Sequence, residues 1–240
     1  MRHAHAKVNL WLNVVGRRAD GYHLLDSLVA FVDLADTLTT RPAKRLSLEL
    51  DGPYAAELAR DPDNLVLKAA RLLAERAGVA PRAAIALGKH IPVAAGLGGG
   101  SADAAAVLRE LVDLWRLVMA EEELFDLARS LGADVPMCLA GCTALVSGVG
   151  ERLNPAPPLP PAAILLVNPG TALPTHEVFA ARRGPFSQPT PPAGPWRDLP
   201  ELATELLRRG NDLSEAAISL RPAIADVLAF LRGSAGARHV

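Results

Sequence analysis

Cysteine, aromatic residues and net charge are all scarce in these 240 residues. Only Cys138 and Cys142 are present, a single pair with no second pair to complete a zinc site or a disulfide framework. Both read as small core residues. Aromatics make up 4% of the chain, and the formal net charge of -1 argues against a broad nucleic-acid surface. A local basic pocket for a phosphorylated ligand stays open. No apolar run approaches the about 20 residues a membrane span requires, and no signal peptide opens the chain. A cytoplasmic protein with no membrane or nucleic-acid partner is expected. Internal repeats and heptads are also missing. Half the residues are hydrophobic, enough for a substantial core in one large or two small domains.

Strands dominate the first fifty residues. Ala6, Val8, Leu10, Leu12 and Val14 alternate with Lys7, Asn9, Trp11 and Asn13, which predicts a half-buried strand with a solvated second face. His3 and His5 share a face, without a third ligand nearby, and read as disordered-end or tag-like residues. Two glycines bracket a polar loop over 16–21, with Tyr22 and His23 at its exit. Strands are expected over 26–34, 45–51 and 83–87. A helix should run to Ala77, started by Asp63 or Asn64 as cap and stopped by Gly78. Glu121, Glu122 and Glu123 load the first turn of a helix that ends at Gly132, where three acids suit the positive end of the dipole. Residues 143–149 read as a strand, and a proline-rich connector over 154–161 is the best domain boundary. Ala163–Val167 reads as a fully apolar strand. Residues 185–195 should be irregular, and helices are expected near 199–209, 212–219 and 222–232.

The densest signal lies between Lys89 and Trp115. Gly96, Gly98, Gly99 and Gly100 leave the backbone bare, so N–H groups can face outward and phosphate oxygens can approach. Ser101 is a suitable N-cap and Asp103 suits a first helical turn. Ala105, Leu108, Val112 and Trp115 recur at helical spacing. A glycine loop feeding a helix N-terminus is an anion site. It is not a Walker loop, which ends Gly-Lys-Ser/Thr, because Gly-Ser-Ala stands here. It is not a dinucleotide fingerprint either, because Ser101 fills the last place and Pro92 interrupts the approach.

The run Pro-Val-Ala-Ala-Gly-Leu-Gly-Gly-Gly-Ser-Ala, residues 92–102, resembles the phosphate loop of the GHMP kinases, which phosphorylate small metabolites. Further motifs follow the same order along the chain. Ala-Lys-Val-Asn-Leu at 6–10 resembles an opening motif whose Lys and Asn line the substrate site. Arg-Ala-Asp-Gly-Tyr-His at 18–23 is similar to the cytidine-recognising segment of the branch that acts on diphosphocytidyl-methylerythritol. Gly-Ala-Asp-Val-Pro at 132–136 and Pro-Gly-Thr-Ala-Leu-Pro-Thr at 169–175 match two more.

The resemblance implies a two-domain α/β (α+β) fold: an N-terminal mixed-sheet domain, 1–154, with a left-handed βαβ unit, and a ferredoxin-like C-terminal domain, 155–240. It implies an ATP-dependent kinase that uses Mg2+ and a small-molecule substrate. Asp134 would be the catalytic base and Lys7 its charged partner. Pro92, Val93, Ala94, Ala95, Gly96, Leu97, Gly98, Gly99, Gly100, Ser101, Ala102, Asn64 and Lys89 would bind ATP, with Ser101 a candidate magnesium ligand. Asn9, Tyr22, His23, Thr175 and Phe179 would bind the substrate, Tyr22 and Phe179 flanking a cytosine. The other readings are a GHMP kinase of homoserine or mevalonate type, and a non-catalytic nucleotide-binding form. A monomer or weak homodimer is expected. In the resembled family a third glycine-rich motif and further strands follow the position of Leu231, so the second domain is expected to be truncated.

Overall fold

The computed structural model describes residues 1–58 and 64–237. Asp61 and Asp63, at the expected helix start, and the last three residues lie outside the described residues. Two compact units emerge, neither contiguous in sequence. The first comprises Met1–Val8, Phe31–Val93 and Leu97–Cys142; the second comprises Asn9–Ala30, Ala94–Gly96 and the chain from Thr143. The boundary expected at 154/155 falls inside the second unit. Two long strands, β1 (Arg2–Arg17) and β2 (His23–Pro42), supply residues to both.

In the first unit, β2 pairs antiparallel with β4 (Ala83–Gly88), and β4 pairs parallel with β3 (Ser47–Asp51). Short α1 (Ala55–Leu58) and α2 (Leu65–Ala77) lie between β3 and β4 in sequence, forming a βαβ unit. The side chain of Asn64 accepts from the Val66 N–H at 2.9 Å and caps α2, while Gly78 closes it in the left-handed conformation at φ 66°. The remaining helices here are α3 (Gly99–Trp115), α4 (Glu121–Leu131) and α5 (Val135–Ala140). Ala102, Ala104, Ala105, Val107, Leu108 and Leu111 bury the start and middle of α3 against Leu73, Leu87, Leu127 and Val135. Small side chains let the helix come close to its neighbours, and that close packing holds its N-terminus still.

In the second unit, β2 pairs antiparallel with β5 (Ala144–Gly148), and β5 with β6 (Arg152–Pro155). Helices α6 (Thr175–Ala181), α7 (Leu199–Arg209), α8 (Ser214–Leu220) and α9 (Ala223–Arg232) follow. The three C-terminal helices match the expected spans, and 185–195 is irregular as expected. β6, α1, α5 and α6 were not anticipated.

Six expectations need correction. The second face of β1 is not solvated: Trp11 is 1% exposed and packs edge-on against Trp196, with ring centroids 6.4 Å apart. The Arg209 guanidinium, at the end of α7, lies 4.3 Å from the Trp11 ring centroid, so the ring has both an apolar and a cationic cover. His3 and His5 are strand residues, and His5 Nδ1 lies 2.9 Å from the Val32 carbonyl. Cys142 is exposed, because the left-handed Gly141 that ends α5 turns the chain outward. Ser101 does not cap α3, which begins two residues earlier at Gly99 after a left-handed Gly98 at φ 67°. Ala163–Val167 forms no strand, and Leu165 is 72% exposed. A strand exists through its ladder, and no described strand pairs with this segment. The ferredoxin-like sheet expected after 155 is not formed among the described residues. No helix among them is long and apolar enough to cross a membrane.

Trp11→Ala should destabilise the second unit by about 3–5 kcal/mol, the usual cost of removing a buried Trp. Urea unfolding followed by Trp fluorescence checks it, with loss of the Trp196 environment as the local signature.

Candidate active site

The glycine loop forms a cradle. Gly96 and Gly98 take φ of 76° and 67°, and Ala94 adopts 53° without a glycine's freedom. A non-glycine residue there stores about 1–2 kcal/mol of local strain, which the surrounding fold holds in place. The first backbone bond of α3 runs from the Ala102 N–H to the Gly98 carbonyl at 2.9 Å. The N–H groups of Gly99, Gly100 and Ser101 therefore precede the helical ladder and point along the positive end of its dipole. A Cβ built on Gly96 or Gly100 meets nothing within 4 Å. This bare, donor-rich surface suits phosphate oxygens.

Lys7 and Asp134 meet beside that loop, within the first unit. The Lys7 N–H donates to the Leu97 carbonyl at 3.0 Å, which ties β1 to the loop. The side chain then crosses Gly98, where a Cβ would lie 2.7 Å from Lys7 Cγ. Its Nζ ends 3.4 Å from Asp134 Oδ2. Lys7 is 8% exposed, whereas the Asp134 side chain keeps 38% of its surface open. Asp134 precedes α5 without capping it through its side chain, so its carboxylate remains available for chemistry.

Lys89, expected at the nucleotide, is placed differently. It is 1% exposed, donates to Asp36 Oδ2, and donates to Asp103 Oδ2 at 2.8 Å. Burial pushes the Asp103 carboxyl up to about 7, with Lys89 pulling the other way and Asp36 adding to the rise. Asp103 is thus a buried partner of Lys89 and not a surface complement to the helix dipole. Sequence reading missed Asp36. Its signal was available: it shares strand parity with Leu34 and Leu38, on an inward face where a charge needs a partner. Asn64 is 6% exposed and occupied as a cap.

The second unit holds the remaining candidates. Asn9 Nδ2 donates to Ser27 Oγ at 2.8 Å. His23 stacks on Phe179, with ring centroids 5.2 Å apart and planes at 22°. Tyr22 is 62% exposed, its ring free to cover a flat ligand. Thr175 opens α6 and is exposed, one turn ahead of Phe179. Burial lowers the His23 pKa from 6.5, and the positive Arg17 and Arg182 lower it further. A neutral imidazole at pH 7 can both donate and accept.

Glycine cradle, helix start and adjacent Lys–Asp pair together define a kinase of the GHMP class, and a family model described as "GHMP kinases N terminal domain" matches residues 64–142. The 4-diphosphocytidyl-2-C-methyl-D-erythritol kinase of Paramagnetospirillum magneticum is 55% identical over 232 residues, covering 97% of this chain and 81% of that one. The kinase of the same name from Rhodospirillum rubrum is 52% identical over 231 residues, covering 96% and 76%. A crystal structure of 4-(cytidine 5'-diphospho)-2C-methyl-D-erythritol kinase superposes with a TM-score of 0.71 at 40% identity, covering 96% of this chain and 82% of that one. The chain belongs to the 4-diphosphocytidyl-2-C-methyl-D-erythritol kinase family, which makes it an ATP-dependent small-molecule kinase.

The two arginines near His23 generate a measurable outcome. In a histidine NMR titration, His23 should show a midpoint below 6.5, moving upward in Arg17→Gln as a positive neighbour is removed.

Proposed function

We propose that this protein transfers the γ-phosphoryl group of ATP to the tertiary 2-hydroxyl of 4-diphosphocytidyl-2-C-methyl-D-erythritol. The observation that carries the chemistry is the Lys7–Asp134 pair, 3.4 Å apart, with Lys7 lying across Gly98 of the loop. A tertiary alcohol is crowded and weakly acidic, so it needs a positioned base. The Asp134 carboxylate accepts the hydroxyl proton as the oxygen–phosphorus bond forms and ADP leaves. Lys7 stabilises negative charge on the attacking oxygen. The N–H groups of Gly99, Gly100 and Ser101 hold the phosphates.

The bare cradle fits the phosphates of ATP, and the Ser101 hydroxyl is the side chain offered to a magnesium ion carried on them. Magnesium held there would supply positive charge to neutralise the transferring phosphates. Among the described residues no group of three or more His, Cys, Asp or Glu could hold a metal on its own. In the second unit, Tyr22 and Phe179 offer aromatic faces suited to a cytosine, and neutral His23 offers a donor and an acceptor suited to its edge. Asn9 and Thr175 supply further polar contacts. A charged diphosphate substrate held in the cytoplasm suits this reading, with the enzyme a monomer or weak homodimer.

Steady-state assays with diphosphocytidyl-methylerythritol, homoserine and mevalonate test the assignment, and turnover of either of the last two in preference to the first overturns it. Asp134→Asn should lower kcat by about two to four decades while ATP still binds, and near-wild-type turnover would reduce Asp134 to a turn residue. Tyr22→Ala should weaken the cytidylyl substrate by about 1–3 kcal/mol through lost stacking, with ATP affinity nearly unchanged in a calorimetric titration. Equal losses for both ligands would point to damage to the fold.

A further inference from the structure

The transfer step above makes no use of the buried charges behind the loop. Asp36 on β2, Lys89 at the end of β4 and Asp103 in α3 are 0%, 1% and 2% exposed. Asp36 Oδ1 accepts the N–H groups of His90 at 2.5 Å and Ile91 at 2.8 Å, and its Oδ2 accepts from Lys89 Nζ. The same Nζ donates to Asp103 Oδ2 at 2.8 Å. His90 and Ile91 lead into the glycine loop, and Asp103 sits one turn into the helix that leaves it. One ammonium therefore joins the loop's entry to its exit. It also lies directly against the first helical residue: a Cβ on Gly99 would fall 2.8 Å from Nζ. Asp103 Oδ1 has no hydrogen-bond partner among the described residues.

Buried ion pairs are weak evidence for stability, because apolar groups of similar volume often serve as well. What a hydrogen-bonded charge cluster supplies is a fixed spacing between the elements it joins. We propose that Asp36, Lys89 and Asp103 are positioning residues for phosphoryl transfer, holding the two ends of the glycine loop so that the Gly99, Gly100 and Ser101 N–H groups stay aimed at the nucleotide phosphates. Lys89 acts through the loop and takes no phosphate itself. The inference rests on the kinase reading and assigns that site a supporting layer.

The test uses the full chain with Asp36→Asn, Lys89→Met, Asp103→Ala and Asp103→Asn, assayed well below each variant's unfolding midpoint. Misplacing the loop should lower kcat by about 10- to 100-fold in Lys89→Met and in Asp103→Ala. The double variant should be no worse than about threefold below the poorer single, because both break one link. Asp103→Asn keeps an acceptor for Lys89 and should recover most of the turnover that Asp103→Ala loses. A merely structural role would lower the unfolding midpoint and leave kcat of the folded enzyme unchanged, which overturns the proposal. So does a raised ATP KM in Lys89→Met alone with Asp36→Asn and Asp103→Ala silent, since Lys89 would then be a phosphate ligand. If Asp103→Ala does not fold, Lys89→Met/Asp103→Leu replaces the link by apolar groups, and wild-type kcat in it equally overturns the idea. A wild type with no turnover refutes the kinase substrate instead. ADP titration by calorimetry then decides the latch, with affinity expected to fall together in Lys89→Met and Asp103→Ala, and unchanged affinity in both counting against it.

Discussion

The Lys89 ammonium, buried between Asp36 and Asp103, is the constraint on which the packing behind the glycine loop depends. Three charged groups out of water are tolerable only because each has a partner, and the partners sit on a strand, a strand end and a helix. That requirement forces β2, the end of β4 and the first turns of α3 into one arrangement. Glycine is needed at position 99 for the same reason, since a side chain there would strike the ammonium.

Close approach governs the neighbouring pair as well. Lys7 reaches Asp134 by crossing Gly98, a position that is both left-handed and without room for a Cβ. Gly98 therefore has two reasons to be glycine, backbone conformation and the path of another side chain. The lysine is nearly buried while the aspartate keeps an open side, which leaves the carboxylate reachable and its cation fixed. Such an asymmetry suits a base that must meet substrate and a charge that must not wander.

In the second unit, order comes from aromatic and guanidinium contacts. Trp11 is covered by Trp196 and Arg209, and Arg209 is itself held by Glu205 and Asp26. In the same unit, His23 leans on Phe179 and leaves Tyr22 exposed. A ring that already has a stacking partner is orientationally restricted, so its edge nitrogen is presented at a defined angle.

Local periodicity and turn chemistry determined much of this protein before any coordinates. The strand that opens the chain, the acid-rich start of α4, the Gly78 stop of α2 and the three C-terminal helices depend on neighbours within a few residues, and all appear where expected. The glycine loop ahead of α3 was equally legible, since bare backbone before a helix is a local property. What sequence could not decide was partnership across long separations. Asp103 looked like a dipole complement until its partner 14 residues away and Asp36, 53 residues from Lys89, closed a buried cluster. Trp11 looked solvent-facing until Trp196 covered it. Ala163–Val167 has every local mark of a strand, yet forms none, because a strand is defined by the ladder it shares with another segment and not by its own residues.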